Sequence, residues 1–252
     1  MTIAIIPIGG FGIRMHSDIP KQFIKVNDKL ICMYTIEKFQ KNKNVDMILL
    51  ACIDGYQEFI ENECKKNNIT KLKAVVKGGR TQLESIFNCY NYIKNEIQDD
   101  TRIIIHVGNR PLLSQELINR CITEYDKIGM LTTVVPSVEV MYNVKNNNIE
   151  DRNNIVRIQT PQVYSSLDLK KLQKNCDSDD LVKYATVFDL MLHHNIDVHH
   201  IDGELLNFKI TYPEDLLIFE SIVKNNKWFY IAIQKVLLFL YYILILKYNR
   251  FS

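Results

Sequence analysis

At 252 residues the chain is long enough for one α/β domain with an appendage. Hydrophobic residues at 47% and charged residues at 24% exclude intrinsically disordered, collagen-like and coiled-coil classes. The 31 Lys and Arg against 29 Asp and Glu leave a formal net charge of +2, too balanced for coating nucleic acid, so an anionic ligand has to be met by a local pocket.

The chain opens with Ile3-Ala4-Ile5-Ile6, a short apolar run that reads as a buried strand. Glycines follow it at once, so it does not read as a signal peptide. Ile48 to Ile53 and Ile103 to Ile105 repeat the buried-strand pattern. Between and after them lie stretches with helical spacing: Ile31 to Phe39, Gln57 to Asn67, Ser85 to Asn95 and Ser114 to Lys127. Strand and helix alternate through about residue 135, the signature of an open, doubly wound, mostly parallel α/β sheet whose ligands bind beyond the carboxyl ends of the strands.

After Pro136 the pattern loosens into an Asn-rich stretch, predicting an excursion from the sheet, a protruding arm over about 137–157, before Ile155 to Val163 becomes extended again. A helix over Thr186 to His194, a strand over Val198 to Ile201, a short strand at Lys209-Ile210-Thr211 and a helix over Glu214 to Val223 complete the expected domain, 1–224. The remainder, 225–252, is an apolar C-terminal extension. Trp228 to Leu246 carries only Gln234 and Lys235 as polar breaks, with Lys224 and Lys227 before it and Lys247 and Arg250 after it. As a helix it would reach about 28 Å, marginal for a bilayer core. Docking on a membrane surface or a protein partner, packing against the core, and spanning a bilayer are all open to it.

Cys32, Cys52, Cys64, Cys89, Cys121 and Cys176 are scattered with no CxxC and no short Cys/His cluster, which argues for free thiols in a reducing cytoplasm rather than disulfides or a structural zinc. The pairs His193-His194 and His199-His200 point different ways along their elements and have no acidic partner at ligand spacing. His106 reads as structural, and Asp99-Asp100 and Asp179-Asp180 as solvated loop charges.

The chemistry concentrates after the first strand, in Pro7-Ile8-Gly9-Gly10-Phe11-Gly12-Ile13-Arg14-Met15 with Pro20-Lys21-Gln22-Phe23 close behind. Glycines at a strand's end let backbone N–H groups approach phosphates, and Arg14 and Lys21 add charge where a triphosphate would lie. Taken alone the loop could equally be turn glycines beside solvated basic residues, since it fits neither GxGxxG nor GxxxxGK[ST].

Taken with Gly78-Gly79 and Ser85, His106 with Arg110-Pro111, Arg152 with Gln159-Thr160-Pro161-Gln162, and Lys209-Ile210-Thr211 with Pro213 and Asp215, the chain resembles the cytidylyltransferases that act on methylerythritol phosphate and, more closely, on ribitol 5-phosphate. The resemblance runs from residue 3 to about 223. It implies a Rossmann-like nucleotidyltransferase that joins CTP to a polyol or sugar phosphate and releases pyrophosphate. It further implies that Ile8, Gly9, Gly10, Phe11 and Gly12 wrap the nucleotide phosphates, and that Arg14 and Lys21 hold the triphosphate. Gly78, Gly79 and Ser85 would hold base and ribose. Arg110, Arg152 and Thr160 would bind the acceptor, and Lys209 would orient the attacking phosphate. The arm would make a homodimer, and magnesium or another divalent cation would arrive mainly on CTP. The implied setting is cytoplasmic, at or near the inner face of the membrane, in surface-polysaccharide or teichoic-acid-type synthesis.

Several positions depart from the family pattern. Val107 stands where an aspartate is usual and cannot ligate a metal; Gln82 replaces an arginine, Glu139-Val140 an Asp-Thr pair, and Ala185-Thr186 a Thr-Asp pair. Either the acceptor differs, or the chain is a catalytically impaired, nucleotide-binding scaffold subunit. Glu204 to Lys209, with no aspartate before the lysine, and Tyr142 in place of a basic residue look more like the ribitol-phosphate branch than the methylerythritol-phosphate one.

Overall fold

The computed structural model describes residues 1–10, 12–15 and 19–224; Phe11 and Trp228 to Leu246 lie outside the described residues. In chain order the elements are β1 (Thr2–Ile8), β2 (Lys25–Val26), β3 (Lys29–Leu30), α1 (Ile31–Lys41), β4 (Met47–Cys52), α2 (Gln57–Lys66), β5 (Leu72–Lys77), α3 (Gln82–Ile93), β6 (Arg102–Ile105) and α4 (Gln115–Ile128). They continue with β7 (Leu131–Pro136), β8 (Tyr142–Asn143), β9 (Asn148–Ile149), β10 (Val156–Ser165), α5 (Ser166–Lys174), α6 (Asp180–Lys183), α7 (Val187–His193), β11 (His199–Asp202) and α8 (Pro213–Lys224). Short 3-10 turns cover Ile13–Met15, Lys21–Phe23 and Arg152–Asn154.

Among the described residues one 7-stranded sheet has the order β11-β7-β10-β6-β1-β4-β5. β1 pairs in parallel with β4 and β6, β4 with β5, and β7 with β11. Only β10 is reversed, antiparallel to both β6 and β7. The run Ile3 to Ile6 explains why β1 sits at the centre. Ile3 and Ile5 face one side, against Leu83 and Ile86 of α3, Leu169 of α5 and Leu190 of α7. Ala4, Ile6 and Ile8 face the other, against Ile36 and Phe39 of α1, Ile60 of α2 and Leu117 of α4. A strand covered on both faces is apolar along nearly its whole length.

Helix starts follow their caps. Thr81 Oγ accepts from the Glu84 N–H, Ser114 Oγ from Leu117 and Thr186 Oγ from Asp189, while Ser165 and Asp168 form a reciprocal capping box. The Thr81 cap starts α3 at Gln82, ahead of the expected Ser85. β5 was not expected: its lysines at 73 and 77, with Lys71 just before it, hide an edge strand that needs only one buried face. Lys209-Ile210-Thr211 forms no strand, because its backbone is taken up by the loop after β6 and by the start of α8.

Residues 137–155 leave the sheet between β7 and β10 and carry the β8–β9 hairpin, with Val140, Met141, Tyr142, Val144 and Ile149 exposed. Cys32, Cys52, Cys64, Cys89 and Cys121 are buried as free thiols. Among the described residues no helix is long and apolar enough to cross a membrane.

Candidate functional site

The parallel strands β1, β4, β5 and β6 all end at one rim. The loops that leave it are Gly9-Gly10 after β1, Gly78-Gly79 after β5 and Val107 to Asn109 after β6. With Lys21 and Lys209 they enclose a cleft of about 430 Å³, large enough for a nucleotide. Backbone bonds tie the rim together. Gly78 N–H donates to the Cys52 carbonyl at 2.7 Å and Gly79 N–H to Ser85 Oγ at 2.9 Å, while the Ser85 hydroxyl donates to the Thr81 carbonyl at 2.8 Å. Gly108 is pinned by its N–H to the Pro7 carbonyl at 3.0 Å and by the Thr35 hydroxyl, which donates to its own carbonyl at 2.9 Å. A β-carbon on Gly108 would collide with Ile8 Cγ2, so only glycine lets the β6 loop lie on β1.

The floor is cationic. Lys21 sits in the turn Lys21–Phe23, which Gln22 anchors by donating from Nε2 to the Ile8 carbonyl at 2.8 Å. Burial, followed by the charges of Lys209 and Arg14, lowers the Lys21 ammonium to about 8, with Asp215 opposing the shift. Arg14 lies over the ring of Tyr212, 5.5 Å from its centroid. Asp215 accepts from the N–H groups of Thr211 and Tyr212 at 2.8 and 2.9 Å, which fixes the turn into α8. Lys209 keeps solvent access at the mouth, yet the protein crowded round its amine lowers its pKa, with Arg110 and Arg14 adding to the shift. Among the described residues no carboxylate lines the cleft.

The Lys209 segment is clasped from two sides. Ile210 N–H donates to the Asn109 carbonyl at 2.9 Å, and Asn109 Nδ2 donates to the Ile210 carbonyl at 2.9 Å. Asn207, fully buried, donates from Nδ2 to the Thr160 carbonyl at 2.7 Å and accepts from Arg110 Nη1 at 2.6 Å on its own carbonyl. Beneath them His106 is locked in one tautomer. Its Nε2–H can only donate to the Arg110 carbonyl at 3.2 Å, so Nδ1 accepts from the Thr160 hydroxyl at 3.0 Å, and Thr160 Oγ accepts in turn from the Val107 N–H at 3.3 Å. Burial holds the His106 imidazole neutral, down to about 3. Burial and the charge of Arg157 lower Arg110 to about 10, and its Nε is buried without a protein partner among the described residues.

The cleft thus gathers Ile8, Gly9, Gly10, Gly12, Arg14, Lys21, Gly79, Ser85 and Lys209. Gly78 supports it from behind. Arg110 and Thr160 stand one layer deeper, joined to the cleft through Asn207 and Val107, and Arg152 is exposed in the turn before β10, away from the cleft of its own chain. Arg80, Thr81 and Asn109 also line it and were given no site role from sequence, and Gln82 and Val107, marked there as departures from the family pattern, line it as well. Arg80 and Thr81 directly follow the second glycine pair, and Asn109 sits inside the His106–Arg110 stretch, which is the signal that marks them.

Among the described residues no group of three His, Cys, Asp or Glu side chains comes together to hold a metal, and the cleft is lined by Val107, which cannot ligate one, with no carboxylate beside it. A protein-built cage for a divalent cation does not fit these residues.

Known proteins share both sequence and fold. A ribitol-5-phosphate cytidylyltransferase of Vibrio parahaemolyticus serotype O3:K6 is 35% identical over 232 residues, covering 90% of this chain and 98% of that protein. A 2-C-methyl-D-erythritol 4-phosphate cytidylyltransferase of Thermosipho melanesiensis is 34% identical over 219 residues, covering 86% of this chain and 95% of that protein. Among solved structures, the 2-C-methyl-D-erythritol 4-phosphate cytidylyltransferase of Francisella tularensis superposes with a TM-score of 0.71 at 28% identity, covering 87% of this chain and 98% of that one. The family described as IspD, 2-C-methyl-D-erythritol 4-phosphate cytidylyltransferase, matches residues 2–225, and the chain belongs to that family of nucleotidyltransferases.

Proposed function

We propose that the protein transfers CMP from CTP to a polyol phosphate of the ribitol 5-phosphate type, giving a CDP-polyol and pyrophosphate. The observation that carries this is the meeting of Arg14, Lys21 and Lys209 in one cleft with no lining carboxylate among the described residues. An oxygen of the acceptor's phosphate forms the new bond to the α-phosphorus of CTP, and the bond from that phosphorus to the bridging oxygen of pyrophosphate breaks. The nucleophile is already anionic, so no base is required. The work is to hold two polyanions in line and offset their repulsion.

In this assignment the backbone of Ile8 to Gly12 and the side chains of Arg14 and Lys21 bind the triphosphate, and Gly78, Gly79 and Ser85 hold base and ribose. Lys209 orients the acceptor phosphate. Arg110 and Thr160 shape the acceptor side; Arg152, on the arm, reaches the site of a second copy in a homodimer. Magnesium is carried on the phosphates of CTP rather than by the protein. The product supplies an activated polyol for surface polysaccharide, in the cytoplasm.

The test is pyrophosphate release from purified protein with CTP, magnesium and either ribitol 5-phosphate or methylerythritol phosphate, beside Lys21→Ala. Turnover with ribitol 5-phosphate that Lys21→Ala loses supports the proposal. Turnover only with methylerythritol phosphate replaces the acceptor, and CTP binding with no turnover on either favours a silent scaffold.

A further inference from the structure

Asn109 is a neutral polar side chain of the cleft whose orientation the structure fixes. The residue is 8% exposed and lines the cleft. Its Nδ2 donates to the Ile210 carbonyl, an atom that can only accept, so the carboxamide cannot be flipped. Its backbone carbonyl accepts from the Ile210 N–H, so both bonds fall on the residue next to Lys209. Oδ1 is left as an oriented acceptor with no protein donor among the described residues.

We infer that Asn109 Oδ1 accepts a hydrogen bond from a hydroxyl of the acceptor polyol and selects for that hydroxyl. The inference rests on the proposed polyol-phosphate transfer. Phosphate groups in their ionised form offer no donor, so an isolated oxygen acceptor serves a hydroxyl or amine rather than the triphosphate, and the bonds of Asn109 to Ile210, next to Lys209, favour the acceptor's hydroxyls over those of the nucleoside. A polyol chain tethered by its phosphate at Lys209 brings hydroxyl donors to the adjacent residue. An acceptor oxygen that bound substrate covers and leaves unpaired is costly, so an acceptor molecule lacking that hydroxyl is disfavoured. Val107, two residues earlier, can make no such bond, leaving Asn109 as the polar reader on this loop.

The test compares wild type, Asn109→Ala and Asn109→Ser with ribitol 5-phosphate and its singly deoxygenated analogues. Wild type is expected to disfavour one analogue by about tenfold in kcat/KM, and both variants to lose that discrimination while KM for ribitol 5-phosphate rises by a similar factor. KM for CTP and the thermal shift given by CTP are expected to stay at wild-type values, which a merely structural role would not ensure. Equal discrimination by wild type and variants, or a rise confined to KM for CTP, overturns the inference. Wild type that turns over no polyol phosphate instead overturns the proposed function.

Discussion

The methylene stem of Lys21 runs within 3.0 Å of the point where a side chain on Gly12 would begin, and Gly12 itself has a φ of +67°. The loop and the lysine are therefore fitted to each other. Gly12→Ala meets backbone strain of roughly 1–2 kcal/mol and must also push Lys21 aside. The expected outcome is a modest fall in melting temperature with a much larger fall in CTP affinity, read by thermal shift with and without CTP. Equal losses in both would show that the loop matters only for folding.

Lys21 at about 8 makes CTP binding pH-dependent with a definite sign. The free enzyme loses the Lys21 charge as pH rises through about 8, whereas a bound polyanion favours the charged form and raises the pKa. CTP binding near pH 8.5 is thus expected to take up protons and to weaken as pH rises further. Calorimetry in buffers of different ionisation enthalpy reads the uptake directly, and Lys21→Arg should abolish most of it.

Lys21 and Lys209 should separate in their effects. Lys21→Ala is expected to reduce kcat/KM by about 10²–10³ and to lose protection by CTP, since it removes a fixed charge at the reacting phosphates. Lys209→Ala should retain CTP protection and raise KM for the acceptor. Initial-rate kinetics with each substrate varied in turn distinguishes the two.

The chain Val107 N–H to Thr160 Oγ to His106 Nδ1 is buried throughout. Thr160→Val keeps the shape and strands two polar groups, a cost of about 1–3 kcal/mol. Chemical denaturation should show that loss and its recovery in Thr160→Ser. The same network predicts acid sensitivity. The pKa of His106 is depressed to about 3 from 6.5, so the unfolded chain binds the extra proton first and stability falls as pH drops from about 6.5 toward 3. A flat denaturation midpoint over that range would contradict the buried neutral ring.

With no protein cage for a cation among the described residues, a chelator is expected to stop turnover while leaving the melting temperature of the ligand-free protein unchanged. A drop of several degrees on chelation would reveal a metal held by the protein itself.

What was legible in the sequence follows from how local each signal is. Ile3 to Ile6 announces a central strand because both its faces need apolar side chains, and Gly9, Gly10, Gly12, Arg14 and Lys21 meet in one cleft because they sit together behind it. β5 was hidden because an edge strand tolerates lysines. Lys209 read as strand because Ile210 and Thr211 beside it are β-branched, whereas the backbone of Ile210 is spent on Asn109, a residue 101 positions away. Asn109 itself was silent for the same reason: its role depends on which carbonyl its amide meets, and no spacing rule encodes that. Phe11 and Trp228 to Leu246 lie outside the described residues.

The single reversed strand has a consequence for how such a chain can change over time. Because β10 runs back beside β7, the polypeptide leaves the sheet at the cleft rim and returns without a crossover helix, and the register resumes with Val156 opposite Pro136. Everything between those two paired residues, the β8–β9 hairpin included, can be lengthened, trimmed or rewritten with no strand of the seven-stranded sheet displaced. Natural variation in what this scaffold touches at its rim can therefore accumulate there, while the turns that carry Arg14 and Lys21 follow the central strand and stay where they are.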